Sequence, residues 1–195
     1  RRDECDQERA GNREAFDRLV LHHQDAVVNA AAYYLRNYED ALDVAQETFL
    51  KAYRGLARFR GQCSFRAWIL RIALNTARSL RARRRAKRRG GEARRVLVPW
   101  PSADSSDAED PLGRIPDPDT SGAPARLLER KEVKEAIERA IVGLDDDARE
   151  IIILRDISGE SYEAIAAALD LPMGTVKSRV YRARLELREK MAPYL

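Results

Sequence analysis

Cysteine is scarce. The chain has two in 195 residues, Cys5 and Cys63, too few and too far apart in sequence for a disulfide framework. A reducing, cytoplasmic setting is therefore expected. Histidine is equally sparse. His22 and His23 are neighbours, which point about 100° apart on a helix and cannot chelate as an i, i+4 pair would, so no metal is expected. No glycine-rich phosphate loop and no spaced Ser/His/Asp set occurs, which argues against catalytic residues and against a bound cofactor. No apolar run approaches 18 residues and no leading apolar segment has the form of a signal peptide, so membrane insertion and secretion are not expected. The chain opens at Arg1 without a methionine, so a few leading residues are expected to be missing.

What the chain does have is charge, at 35% of residues, with aromatics at 7% and an apolar fraction of 44%. That apolar content is ordinary for a globular protein and allows one domain or two small ones. The formal net charge of +4 conceals an uneven distribution. Between residues 76 and 95 stand ten basic residues against the single acid Glu92, a net of +9. Between residues 101 and 125 six acids face Arg114 alone, a net of −5. Such blocks are made for partners of opposite charge or for solvent.

Six of the eight prolines fall in Pro99–Pro124, within a stretch rich in Ser, Asp and Gly that lacks any apolar period. It reads as a linker over residues 90–124, between units at 3–89 and 125–195. Both units read as helical, and strand signals are absent. Phe16, Leu19, Val20, His23 and Val27 form one stripe; Leu42, Ala45, Phe49, Tyr53 and Leu56 form a second. Phe65, Trp68, Ile69 and Ile72 start a third, with Ser64 as its N-cap, after breaks at Asn37 and over residues 58–62. Beyond the linker come Leu127, Leu128, Ile137, Ile141 and Leu144, then Ala148, Ile151, Ile152 and Arg155. The predicted fold class is all-α, two small helical domains joined by an extended acidic linker.

The last segment has helix-turn-helix logic. Ser161 caps a short helix with Ile165, Ala166 and Leu169 inward; Asp170 to Gly174 breaks it, Gly174 permitting a tight approach. A second helix follows, with Val176, Val180 and Leu185 inward and Lys177, Ser178, Tyr181, Arg182 and Arg184 outward. A cationic helix with donors of this kind suits a DNA major groove. A plain amphipathic helix with a solvated basic face is the bland alternative. The arginine block has its own alternatives: phosphate binding, a solvated tail, or a membrane surface. Phe65, Trp68, Ile69 and Ile72 read as core before they read as base-stacking residues. Asp40, Asp43 and Glu47, with Gln46 and Phe49, form an acidic-apolar patch that either water or a basic protein partner would satisfy. Cys63 reads as a small, partly buried residue rather than a redox sensor, since no resolving cysteine is near.

The stretch Glu39-Asp40-Ala41-Leu42-Asp43-Val44-Ala45-Gln46-Glu47-Thr48-Phe49 and the stretch Phe65-Arg66-Ala67-Trp68-Ile69-Leu70-Arg71-Ile72-Ala73-Leu74-Asn75 resemble regions of bacterial extracytoplasmic-function (ECF) sigma factors of the sigma-70 type. In that family they bind core RNA polymerase and recognise the −10 element. Ser161-Tyr162-Glu163-Ala164-Ile165-Ala166 and the run from Gly174 to Arg184 resemble the family's −35-reading domain. The resemblance covers both units and implies a dissociable specificity subunit of the polymerase. It implies that Asp40, Asp43, Gln46, Glu47 and Phe49 dock on the coiled coil of the polymerase β′ subunit, a role that displaces the solvent reading of this patch. It assigns Arg58, Arg60, Ser64, Phe65, Trp68 and Asn75 to capture of unpaired −10 bases, and Arg78 and Arg81 to flanking phosphates. Arg155, Thr175, Lys177, Ser178, Tyr181 and Arg182 would meet the −35 duplex, Arg155 mainly through phosphate. The acidic linker would thread toward the polymerase cleft as a mimic of nucleic acid, or serve as a plain tether. The partners implied are core polymerase, including its β subunit, promoter DNA and an anti-sigma factor or other regulator. Ser79 stands where many members carry an acid, and the turn from Leu144 to Arg149 lacks the usual proline but keeps the arginine. The competing reading is a helix-turn-helix regulator that binds duplex DNA without any polymerase.

Overall fold

A computed structural model describes residues 13–89 and 124–192, with side chains from 14–87 and 132–192. The expectations for the linker, for Cys5 and for the inward side of Leu127 and Leu128 lie outside the described residues. Among the described residues all regular structure is helical. The first unit comprises α1 (Arg13–Leu35), α2 (Tyr38–Gly55), a single 3-10 turn (Leu56–Arg58) and α3 (Phe65–Arg89). The second comprises α4 (Pro124–Gly143), α5 (Asp146–Ile152), a π-turn (Ile153–Ile157), α6 (Tyr162–Leu169) and α7 (Met173–Met191).

The helix starts follow from short polar side chains taking the place of missing backbone acceptors. Asn37 accepts from the Asp40 amide at 2.9 Å, Ser64 from Ala67 at 3.1 Å, Asp145 from Ala148 at 2.7 Å and Ser161 from Ala164 at 3.1 Å. Two stops use left-handed backbone: Arg36 after α1 (φ 53°) and Asp170 after α6 (φ 55°). Asp170 can adopt that conformation because its short polar side chain tolerates it, and Pro172 then prevents α6 from continuing.

In the first unit Phe16, Leu19, Val27, Leu56, Phe65 and Ile69 close one core, as their spacing predicted. Three apolar positions expected to face inward do not. Leu42 and Tyr53 are exposed on α2 and Leu185 on α7, because the inward faces of these helices are already filled by Ala41, Val44, Ala45 and Ala52, and by Val176, Val180 and Ala183. Gly174 is a further correction. A Cβ there would meet nothing within 4 Å, so the glycine does not serve a close approach.

The two units are not separate beads. One core cluster runs from Ala30, Ala31 and Tyr34 of α1 and Leu70, Leu74 and Ala77 of α3 into Ile141, Leu144, Ile151, Ile153 and Leu154 of the second unit. At its centre sits Arg149, fully buried. Its guanidinium donates to the carbonyls of Ile141 (3.0 Å), Val142 and Leu144 (2.7 Å), the orphan acceptors at the end of α4, and lies 5.0 Å over the Tyr34 ring. One side chain thus caps α4, anchors α5 and touches α1.

Candidate nucleic-acid interface

The outward face of α2 is mixed. Asp43 and Gln46 are exposed, Glu47 and Phe49 half-buried. The exposed Leu42, Leu50 and Tyr53 lie on the same face by the three- and four-residue spacing of a helix. Glu47 pairs with Lys51 at 2.8 Å and approaches Arg83 at 4.0 Å; the Lys51 hydrogen bond holds its carboxyl below the usual range. Asp40 has a different environment. It is buried at 6% exposure and held by both terminal nitrogens of Arg84, so its carboxylate fastens α2 to α3. An exposed strip of apolar and acidic groups suits a protein partner.

The loop after α2 and the first turns of α3 build a second surface. Arg58, Phe59, Arg60, Gln62, Cys63, Trp68 and Arg71 line a cavity of about 280 Å³, to which Ala167 and Ala168 of α6 also contribute. Phe65 belongs to the core at 9% exposure, its ring 6.1 Å from Phe59 and 5.5 Å from Trp68. Trp68 is only half-buried and stacks at a tilt on Phe59, centroids 4.8 Å apart. The Ser64 hydroxyl is engaged as the cap of α3, while Asn75 is exposed two turns beyond Trp68 on the same side. The Ser79 hydroxyl donates back to the Asn75 carbonyl at 2.9 Å. Burial pushes the Cys63 thiol up, with the charge of Arg71 opposing.

The arginine block does not stand alone, contrary to the expectation from local sequence. Arg78 donates to Asp147 and Glu150, both at 2.8 Å, and Arg81 to Asp146 at 2.5 Å. Arg66 pairs with Glu160. These acids lie 65 to 94 residues away, so a window along the chain counts the cations without their partners. Burial raises the Asp146 carboxyl, but the Arg81 hydrogen bond, the Tyr34 hydroxyl and the charges of Arg81 and Arg85 outweigh it and leave the group below its usual range. Burial raises Glu150, with Arg78 opposing. Burial likewise pushes the Tyr34 phenol to about 12.

On α7 the expected reading face is open. Lys177, Ser178, Tyr181 and Arg182 are all exposed, Tyr181 at 65%, with Thr175 half-buried at the helix start. Val176, Val180 and Ala183 hold the opposite side against the second unit's core. Arg155 is half-buried and committed locally: it donates to the Glu160 carbonyl at 2.7 Å and lies 4.6 Å over the Tyr162 ring. Arg184 is likewise paired, with Asp156.

Sequence reasoning missed Arg66 and Arg71, although both lie within one turn of Trp68 and a basic residue so near a base-sized pocket is a usable signal. It also missed Tyr34 and Arg149 as the central contact between the units. No local signal marks an arginine for full burial, since that depends on carbonyls brought up by another helix.

Comparison with known proteins matches residues 19–89 to sigma-70 region 2 and residues 134–187 to sigma-70 region 4. The chain is 36% identical to the RNA polymerase sigma-H factor of Pseudomonas aeruginosa over 95% of its own length and 90% of the relative's. It is 36% identical to the ECF RNA polymerase sigma-E factor of Escherichia coli strain K12, over 95% and 91% respectively. Among solved structures it resembles CnrH in complex with the cytosolic domain of CnrY (TM-score 0.65, 29% identity, covering 98% of this chain and 97% of that one). It also resembles the sigma factor RpoE in complex with the anti-sigma factor NepR from Bartonella quintana (TM-score 0.62, 27% identity, covering 91% and 96%).

Proposed function

The chain belongs to the sigma-70 family, in its ECF branch, and from that premise we propose that it binds core RNA polymerase and directs promoter-specific initiation of transcription. Residues 3–89 act as region 2, 125–195 as region 4, and 90–124 as the connection between them. The observation that carries this reading is the outward face of α2, where Asp43, Gln46 and Glu47 alternate with exposed Leu42, Leu50 and Tyr53. A regulator that met only duplex DNA would have no use for such a strip. A basic helical partner such as the polymerase β′ coiled coil would bury the apolar residues and pair with the acids.

The DNA roles follow from the chemistry of each surface. An unpaired base is read by stacking and edge hydrogen bonds once it leaves the helix, which costs a few kcal/mol. The cavity bounded by Phe59, Trp68, Arg58, Arg60 and Arg71 supplies aromatic walls and donors of that kind. Asn75 extends the surface along α3, and Arg78 and Arg81, once released from Asp146, Asp147 and Glu150, hold adjacent phosphates. Phe65 and Ser64 act indirectly, the first by supporting Phe59 and Trp68, the second by fixing the start of α3. On α7, Lys177, Ser178, Tyr181 and Arg182 enter the major groove at the −35 element, Thr175 approaches phosphate at the helix start, and Arg155 contributes from beside it.

The chain supplies recognition and has no catalytic step of its own; nucleotide transfer belongs to the polymerase. Among the described residues no helix is long and apolar enough to cross a membrane, and a polymerase subunit works in the cytoplasm. Resemblance to a sigma factor solved in complex with an anti-sigma factor supports an anti-sigma partner for this chain as well. The reading is tested by mixing the purified chain with core polymerase and resolving the complex by size. Stoichiometric co-elution that then retains forked promoter DNA is expected; DNA binding with no polymerase complex would instead indicate a duplex-binding regulator.

A further inference from the structure

Two side chains that the proposed function gives to the DNA phosphates, Arg78 and Arg81, already have occupants, and so does Arg66 at the start of the same helix. Arg78 spans Asp147 and Glu150 at 2.8 Å each, Arg81 holds Asp146 at 2.5 Å, and Arg66 holds Glu160. Of these acids Glu150 and Glu160 are nearly buried, with side chains 10% and 7% exposed. A carboxylate and a phosphate present the same anionic oxygens to a guanidinium, so one arginine fork cannot serve both. Below the ionic rim the contact is apolar, with Leu74, Ala77 and Tyr34 in one cluster with Ile141, Leu144 and Ile151. The wall that Ala167 and Ala168 add to the Trp68 cavity comes from the same docked unit. The α7 face, by contrast, stays uncovered, with Lys177, Ser178, Tyr181 and Arg182 exposed.

We propose that Asp146, Asp147, Glu150 and Glu160 form an internal phosphate mimic, which occupies the basic face of α3 and makes docking of the second unit compete with unpaired DNA. The docked chain then keeps its −35 surface available while the Arg78 and Arg81 part of its −10 surface is occupied, and separation of the units frees these two arginines. This rests on the reading of α3 as the −10 surface. It gives these four acids a role across the contact, in addition to the helix-start charge that Asp146 and Asp147 supply to α5.

The test uses the full chain and a fluorescent pool of random-sequence single-stranded 15-mers, read by anisotropy. A chain carrying Asp146→Asn, Asp147→Asn, Glu150→Gln and Glu160→Gln should bind the pool about tenfold more tightly, the factor set by the docked fraction that is released. Four lost acids also raise general attraction to DNA. The matched control therefore carries Asp17→Asn, Glu132→Gln, Asp170→Asn and Glu189→Gln, all at exposed positions and none an ion-pair partner of Arg66, Arg78 or Arg81. Small-angle scattering should show the first variant expanded and the control as compact as the parent. Adding Arg78→Ala and Arg81→Ala to the first variant should abolish its gain. Equal binding by variant and control overturns the proposal, as does an expanded variant with no gain. The reading of α3 is checked separately with Arg78→Ala/Arg81→Ala in the complex with core polymerase. Weakened binding of forked DNA there keeps that reading even where the competition fails.

Discussion

Truncating Arg149 to alanine should unfold the second unit far more readily than any surface change. The side chain has no exposed surface, and its guanidinium donates to three carbonyls at the end of α4 while stacking on Tyr34. Hydrogen bonds from a charged donor contribute about 1.5–3 kcal/mol each, but they act as one unit and do not add. Three carbonyls left without their donor and the space left by a large buried side chain together cost about 3–5 kcal/mol, the expected loss for Arg149→Ala. With a urea dependence of about 1–3 kcal/mol per molar, the midpoint followed by circular dichroism should fall by roughly 2 M. Arg149→Lys should recover less than half of this, because one ammonium on a flexible stem cannot span three carbonyls or stack as a plane. Under conditions where the variant stays folded, its affinity for −35 duplex should match the parent's, since a fully buried side chain meets no DNA. A midpoint shift worth less than about 1 kcal/mol, or a loss of duplex affinity in the folded protein, would refute the assignment.

Lys177→Ala and Tyr181→Ala should each reduce discrimination between matched and mismatched −35 duplexes by about 1–3 kcal/mol, measured by competition binding, with polymerase affinity unchanged. Asp43→Lys and Glu47→Lys should weaken the polymerase complex and leave duplex binding intact, whereas Asp40→Ala should lower the melting temperature because Asp40 is committed to Arg84. Tyr34→Phe should flatten the alkaline stability profile. With the native phenol at about 12, the unfolded chain ionises first above pH 10, so the tyrosine's contribution is intact below pH 10 and lost as pH rises toward 12. The loss is at most about 3 kcal/mol over that range, read from urea midpoints at stepped pH, and a parent slope equal to the variant's would contradict it.

The helices and their caps were largely legible because both are local. Ser64 and Ser161 cap the helices they were expected to cap, and the stripe through Phe16, Leu19 and Val27 forms a core. The open face of α7 was legible too, since an alternation of basic and apolar positions on one helix is contained in a dozen residues. What failed was long-range. The acids that neutralise Arg78, Arg81 and Arg66 lie in another unit, and Arg84 finds Asp40 across 44 positions. The outward turn of Leu42 and Tyr53 was hidden for a similar reason. Whether an apolar residue faces in depends on how much inward surface small neighbours such as Ala41 and Ala52 already fill. That misreading conceals a functional feature, because these residues complete the strip proposed for the polymerase.

Run-off transcription with purified core polymerase and a library of promoter DNA tests the central claim most directly. Addition of the chain should produce discrete transcripts from a subset of templates that share −35 and −10 sequences at constant spacing, and Asp43→Lys/Glu47→Lys should reduce them. Transcript patterns identical with and without the chain, at concentrations where it binds duplex DNA, would contradict the claim.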